Sequence, residues 1–259
     1  MSFNIRYGTA SDGENAWPRR RRRVADVIGD FAPQVAGLQE ALHFQLDELD
    51  DLLPAYAWIG VGRDDGETGG EHAAILYRPA RLEVTARGTF WFSDTPHVPG
   101  SRSWGNEIPR ICTWARFRDR LTQKTFLLYN VHWDHRSQAS RERSAELLLE
   151  RIRREAASGE PVVVTGDFNA GEENPAFRAL VDDRRVRLRD TFRVLHPEAR
   201  NVGTHHGFQG DTGGEKIDGV LASPEWTVLQ ADILRTRRYE RHPSDHYPVT
   251  ATLAWSPRP

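Results

Sequence analysis

Among the 259 residues there is one cysteine, one methionine and, apart from Lys124 and Lys216, no lysine. A lone Cys112 excludes an internal disulfide and a cysteine-built zinc site, so any metal must sit on oxygens and imidazoles. No run approaches the roughly 18 apolar residues of a membrane-spanning helix, and no positive-apolar-small leader pattern opens the chain. The expectation is a cytoplasmic protein with no membrane partner. The first strand, Ser2–Tyr7, starts so abruptly at Met1 that it leaves room for one or two upstream residues of the same strand and so for export. Charge of one sign is lacking too: 35 basic residues face 37 acidic ones, a net charge of -2. That balance excludes a general nucleic-acid coat and leaves only local patches.

What is present fits a large soluble fold. The chain is 38% hydrophobic and 28% charged, with eight Trp, which excludes disorder. Its length is near the upper limit for one hydrophobic core, and no repeat or linker divides it, so one domain over residues 1–259 and a monomer are expected. Strands are read over Ser2–Tyr7, Gln34–Gln39, Ala73–Tyr77, Leu82–Phe92, Thr113–Phe117 and Thr125–His132. Further strands cover Pro161–Thr165, Gly219–Leu221, Val228–Leu234 and Val249–Trp255. Helical spacing links Val24, Val27, Ile28 and Phe31 after Pro18, links Leu42, Leu46, Leu49 and Leu53, and recurs over Arg141–Arg154. Many strands and few helices point to an α+β sandwich of two sheets covered by helices.

Polar residues of catalytic type collect where these strands end: Asn4, Gln39 with Glu40, Glu71 with His72, the segment NVHWDH, GDFN, EKIDGVL and SDHYPV. Strand ends are where a rigid scaffold presents reactive groups. Alternation puts Asn4 on one face and Phe3 and Ile5 on the other, and lets Asp167 and Asn169 share a face while Phe168 anchors the turn. Asp245 and His246 are consecutive, so one site can use both only from an irregular loop, which Pro243 and Pro248 favour. Each piece also has a structural reading. GDFN can be an Asx turn, SDH a cap and NVHWDH a satisfied polar network. Thr204, His205 and His206 can be loop filler, and Arg19–Arg23 fan around a helix as a solvated face.

Taken in order, SFNIRYG, LQE, GDFN, KIDGVL and SDHYPV resemble the endonuclease/exonuclease/phosphatase superfamily across essentially the whole chain. That superfamily includes deoxyribonuclease I, apurinic endonucleases, neutral sphingomyelinases, inositol polyphosphate 5-phosphatases and poly(A)-specific deadenylases. The resemblance implies a four-layer α/β/β/α sandwich of two mixed β-sheets flanked by helices. It implies Glu40 as principal Mg²⁺ (or Mn²⁺) ligand, with Asp245 completing the shell and Asn4 assisting near metal or phosphate. Asp167 and Asn169 hold the nucleophilic water and a phosphate oxygen, Asp218 orients His246, Glu71 partners His132, and Arg110 contacts phosphate. Arg6 stands where apurinic endonucleases carry an Asp ligand and His132 where they carry Tyr, which directs the reading away from abasic-site repair.

The chemistry agrees: charge gathers on phosphate oxygens during attack, and a hard divalent ion on carboxylates stabilises it. Two His–acid pairs can divide water activation and leaving-group protonation. The division stays open, with His246 as base and His132 as acid the assignment adopted. The expected function is a metal-dependent phosphoester hydrolase, with a phosphodiesterase or nuclease placed first. A phosphomonoesterase of small metabolites, inositol phosphates or lipid head groups is second, and a non-catalytic phosphate-binding module third. Trp91, Trp104 and Trp133 are available either for packing or for stacking on bases.

Overall fold

The computed structural model describes residues 1–157 and 159–256. Six strands form one sheet: β1 (Ser2–Asn4), β2 (Val35–Gln39), β4 (Ala57–Ile59), β6 (Ile75–Tyr77), β13 (Trp226–Ile233) and β14 (Val249–Trp255), ordered β13-β14-β1-β2-β6-β4. A second sheet is built from β7 (Leu82–Trp91), β8 (Ile111–Asp119), β9 (Thr125–His132), β10 (Val162–Asp167), β11 (Arg189–Asp190) and β12 (Asp218–Ala222), ordered β11-β12-β10-β9-β8-β7. A short ribbon pairs β3 (Ala41–Leu42) with β5 (Glu71–His72). Both large sheets are mixed: β1 runs parallel to β2 and antiparallel to β14, and β10 runs parallel to β9 and antiparallel to β12. The helices are α1 (Trp17–Phe31), α2 (His43–Leu52), α3 (Gln138–Glu155), α4 (Pro175–Val181) and α5 (Thr191–Leu195).

Three apolar layers hold this together. Phe3, Ile5 and Leu38 pack beneath α1 and α2 residues Val24, Ile28, Leu46 and Leu49. Leu127, Val162, Val164 and Phe168 pack beneath Leu148 and Ile152 of α3 and Phe177 of α4. Ile75, Phe117, Leu128, Val163, Val220 and Val249 fill the space between the sheets. The all-valine strand is thus explained by alternation, since Val162 and Val164 face outward and Val163 inward, both faces being covered. The result is the four-layer sandwich.

Local departures from the sequence reading have local causes. The first strand stops at Asn4, because Arg6 takes a left-handed backbone (φ 57°) and turns the chain. The last large helix starts three residues early, at Gln138, because the Ser137 side chain accepts from Ser140 N as its cap. The short elements β3, β4, β5, β11, α4 and α5 have too few residues for a periodic signal in the sequence. The arginine run is only partly solvated: Arg20 and Arg23 are buried. Arg20 donates to the carbonyls of Ile5, Arg6, Asn15 and Pro243 and ties α1 to the ends of β1 and of the loop before β14.

Candidate active site

Register assembles the site before any side chain is considered. Asp167 at the end of β10 lies opposite His132 of β9 and opposite Asp218 of β12, so three candidate groups stand side by side on one sheet. Asn4, the last residue of β1, pairs with Gln39, and Glu40 follows it. Glu40 has a left-handed backbone (φ 60°), as does Asn169 (φ 45°). Such strain in non-glycine residues, on the order of 1–3 kcal/mol each, persists where surrounding contacts fix an unusual presentation.

Asn4 joins the two sheets. Its Nδ2 donates to Glu40 Oε1 and to Asp167 Oδ2, each at 3.0 Å. Glu40 Oε2 also accepts from Tyr7 N at 3.1 Å. Asp167 Oδ2 is the focus: His132 Nε2 lies 3.6 Å away and His246 Nε2 3.9 Å away. Asp167 Oδ1 accepts from Asn169 N at 2.9 Å, and Asn169 Nδ2 donates to Trp133 O at 3.0 Å. GDFN is therefore an Asx turn and a site element at once, with Phe168 anchored in the outer core. Asp245 and His246 occupy an irregular loop before β14. There His246 Nδ1 sits 2.8 Å from Asp218 Oδ2, and Asp245 Oδ2 lies 3.6 Å from Arg6 Nε.

Glu71 and Arg110 stand behind His132. Glu71 Oε2 is 3.7 Å from His132 Nδ1, and the carboxylate accepts two bonds from Arg63, at 2.6 and 2.9 Å. Arg110 Nη1 lies 3.2 Å from His132 Nε2, Nη2 lies 2.8 Å from His135 Nδ1, and Nε faces Asp134 Oδ2 at 3.4 Å.

Electrostatics divides the groups. Burial, then the neighbouring charge of Asp218, raises Asp167 to about 7. Burial alone would lower His246, but Asp218, Asp167 and Asp245 outweigh it and lift it well above an ordinary imidazole. Burial followed by Arg110 and Arg63 drives His132 well below that value. Burial would raise Asp245, yet His246, Arg6 and His205 hold it below the usual carboxylate range. Burial raises Glu71 against the opposing pull of Arg63.

Gln39 and Asn130 lie outside the site. Gln39 Nε2 donates to Asn130 Oδ1 at 2.7 Å, and Asn130 Nδ2 donates to the carbonyls of Leu38 and Ala74, forming a polar bridge between the sheets. Trp91 and Trp133 are buried, which removes them as stacking platforms. Arg63, Arg20 and His205 were missed as site neighbours. An isolated Arg in an acidic loop gives no local signal, whereas the adjacent His205 and His206 could have been separated by strand alternation.

Residues 1–246 match the Endonuclease/Exonuclease/phosphatase family. An endonuclease/exonuclease/phosphatase family protein from Bacteroides thetaiotaomicron superposes with a TM-score of 0.90 at 33% identity, over 98% of this chain and 96% of that one. The mannosyl-6-phosphatase of the same organism superposes with a TM-score of 0.89 at 33% identity, over 98% of both chains. A curated relative, an uncharacterized protein of Acanthamoeba polyphaga mimivirus, is 29% identical over 193 residues, which is 72% of this chain and 71% of its own.

Proposed function

The chain belongs to the endonuclease/exonuclease/phosphatase family, and we propose that it is a divalent-metal-dependent hydrolase of a phosphomonoester on a small polar molecule such as a sugar phosphate. It works as one domain over residues 1–259, since its site draws on Asn4 near one end and His246 near the other. The observation that carries hydrolysis is the Asn4 amide bridging Glu40 and Asp167 beside a His246 locked to Asp218.

Three observations favour a small monoester. The mannosyl-6-phosphatase likeness extends over nearly all of both chains at 33% identity. Asp167, His132 and His246 are all buried, which suits the small terminal phosphate of a monoester better than a long strand. The loop carrying Arg63 and Glu71 exposes Asp64, Asp65 and Glu67, which would repel a polyanionic strand. With Trp91 and Trp133 buried as well, the order expected from sequence, diester cleavage first, is reversed here.

The donor set suits a hard cation. Glu40 accepts from Asn4, and Asp245 follows Ser244, whose hydroxyl donates to the Asn4 carbonyl, so both offer oxygen ligands near Asn4, while the one thiol, Cys112, is buried in β8. Mg²⁺ or Mn²⁺ held by Glu40 and Asp245, with Asn4 assisting, would supply positive charge against the phosphate oxygens. The remaining work falls to the protein. Asp167, raised to about 7, holds the attacking water with Asn169 and accepts its proton. His246 keeps a proton at neutral pH through Asp218, so it pairs with phosphate or protonates the departing oxygen. His132, kept neutral, orients the phosphate with Arg110. Base and acid thus pass from the expected His246 and His132 to Asp167 and His246.

The test is phosphate release from mannose 6-phosphate, other sugar phosphates and inositol phosphates, set beside bis-p-nitrophenyl phosphate, single-stranded DNA and RNA, with Mg²⁺ and Mn²⁺. Monoesters should be hydrolysed fastest, and Glu40→Gln and His246→Ala should each lower the rate by roughly a hundredfold or more. Faster diester or nucleic-acid cleavage overturns the substrate class. Undiminished rates in both variants overturn the site.

A further inference from the structure

His205 and His206 follow one another yet serve different surroundings. His206 is buried, its ring centroid 4.5 Å from that of His242 and 4.0 Å from that of Tyr247. His205 points the other way, with 54% of its side chain exposed, toward Asp245. Its Nε2 lies 4.0 Å from Asp245 Oδ2, and its ring meets the His246 ring edge-on at 4.8 Å.

Backbone bonds hold this placement. His205 forms an antiparallel bridge with His246, His206 N donates to Asp245 O at 2.8 Å, and Tyr247 N donates to Thr204 O at 2.8 Å. The Thr204 hydroxyl accepts from Ile217 N and Asp218 N, at 3.0 and 3.1 Å. The segment is thereby tied both to the loop that carries Asp245 and to the start of β12. The backbone at His205 is thus fixed before any ligand arrives, and only the side chain has to turn to it.

We propose that His205 is a further metal ligand, adding a nitrogen to the carboxylates of Glu40 and Asp245 and turning the centre's preference from Mg²⁺ toward first-row transition ions. The proposal rests on the metal centre described above. One donor atom each from His205, Asp245 and His246 lie within 4.8 Å of one another. Two donors about 2.1 Å from one ion are separated by about 3 Å when adjacent and about 4.2 Å when opposite. The His205–Asp245 spacing of 4.0 Å falls between those limits. Asp218 holds His246 through Nδ1, and the proposed reaction uses the Nε2 of His246 on the phosphate, which leaves His205 as the imidazole available to the ion. Mg²⁺ favours oxygen donors strongly, whereas cobalt and its neighbours accept imidazole readily and manganese more weakly.

The experiment is calorimetric titration of the intact protein with MgCl₂, MnCl₂ and CoCl₂, for wild type, His205→Ala and Glu40→Gln, joined to pulsed electron paramagnetic resonance of the Mn²⁺ form. His205→Ala should weaken Co²⁺ and Mn²⁺ binding by about tenfold or more, at least the effect of losing a group behind a ligand, and change Mg²⁺ far less. It should also remove nitrogen modulation from the Mn²⁺ spectrum. An unchanged Co²⁺-to-Mg²⁺ ratio, or nitrogen modulation that persists in His205→Ala or is missing from wild type, overturns the role of His205. Undiminished binding of all three ions by Glu40→Gln overturns the metal centre itself, so the two failures are told apart. Thermal melts of His205→Ala should match wild type, because the side chain is half exposed.

Discussion

Asp218 accepts His246 Nδ1 at 2.8 Å, while its other oxygen, Oδ1, is buried without a hydrogen-bond partner. The charge of Asp218 is the largest influence raising the proton affinity of His246, acting against the burial of that ring. Asp218→Asn keeps the shape and removes the charge, so His246 should lose its proton at lower pH than in wild type. A ¹⁵N titration of the imidazole should show the downward move, and kcat should fall by roughly a hundredfold or more. An unmoved titration would mean that Asp218 does not govern His246. At this scale the sequence was largely readable: Asn4, Glu40, Asp167, Asn169, Asp218, Asp245 and His246 lie close together, because each stands at one end of a strand or in the loop beside one. Arg63 was not readable. It meets Glu71 only because the intervening loop folds back on itself, and nothing in its neighbours announces that turn.

At the scale of elements, α1 contributes more than an amphipathic cover. Arg20 is fully buried and shared among four carbonyls. Burial lowers it to about 10, which leaves it charged at neutral pH. Arg20→Leu strands those acceptors and should destabilise the fold by at least about 2 kcal/mol in urea melts. Arg22→Ala, on the exposed face, should stay within about 0.5 kcal/mol. Equal effects would remove Arg20 as the tie between α1 and the site loops. Periodicity found this helix but could not say which arginine faces inward, because a charged residue on a buried stripe breaks the pattern by which the stripe is recognised.

For the molecule as a whole, stability couples to the space between the sheets. A Cβ on Gly37 would come within 2.2 Å of Thr165 Oγ1 and 2.3 Å of Asn130 Oδ1, so Gly37→Ala must displace these buried side chains or the sheets that carry them. The expected cost is about 1–3 kcal/mol in denaturant melts, the usual range for overpacking. Acid acts through His206, which burial and His242 lower to about 4. Below the ordinary imidazole value near 6.5 the unfolded chain takes up a proton that the folded one refuses, so stability falls as pH drops from about 6.5 toward 4. His206→Gln should flatten that slope in melts compared at pH 4.5, 6 and 7.5. Divalent metal should raise the melting temperature and chelator reverse the rise, with saturation at about 100 times Kd contributing about 2.7 kcal/mol. A melting temperature indifferent to metal would contradict a centre on Glu40 and Asp245.

The chain alone determined the kind of fold and the inventory of the site, since alternation, strand ends and short polar motifs are local properties that survive in one dimension. Only the tertiary structure decided how the inventory is shared. Asn130 and Gln39 went to the seam between sheets, His205 to the side of Asp245 and His206 to the core, and Asp167 became a point where both sheets meet. Those assignments depend on register and on the distance between sheets, and burial then sets which acids and imidazoles hold protons. None of these is written in the order of residues, because each arises from partners tens of positions apart or more, as Gln39 and Asn130 are, or Asn4 and Asp167.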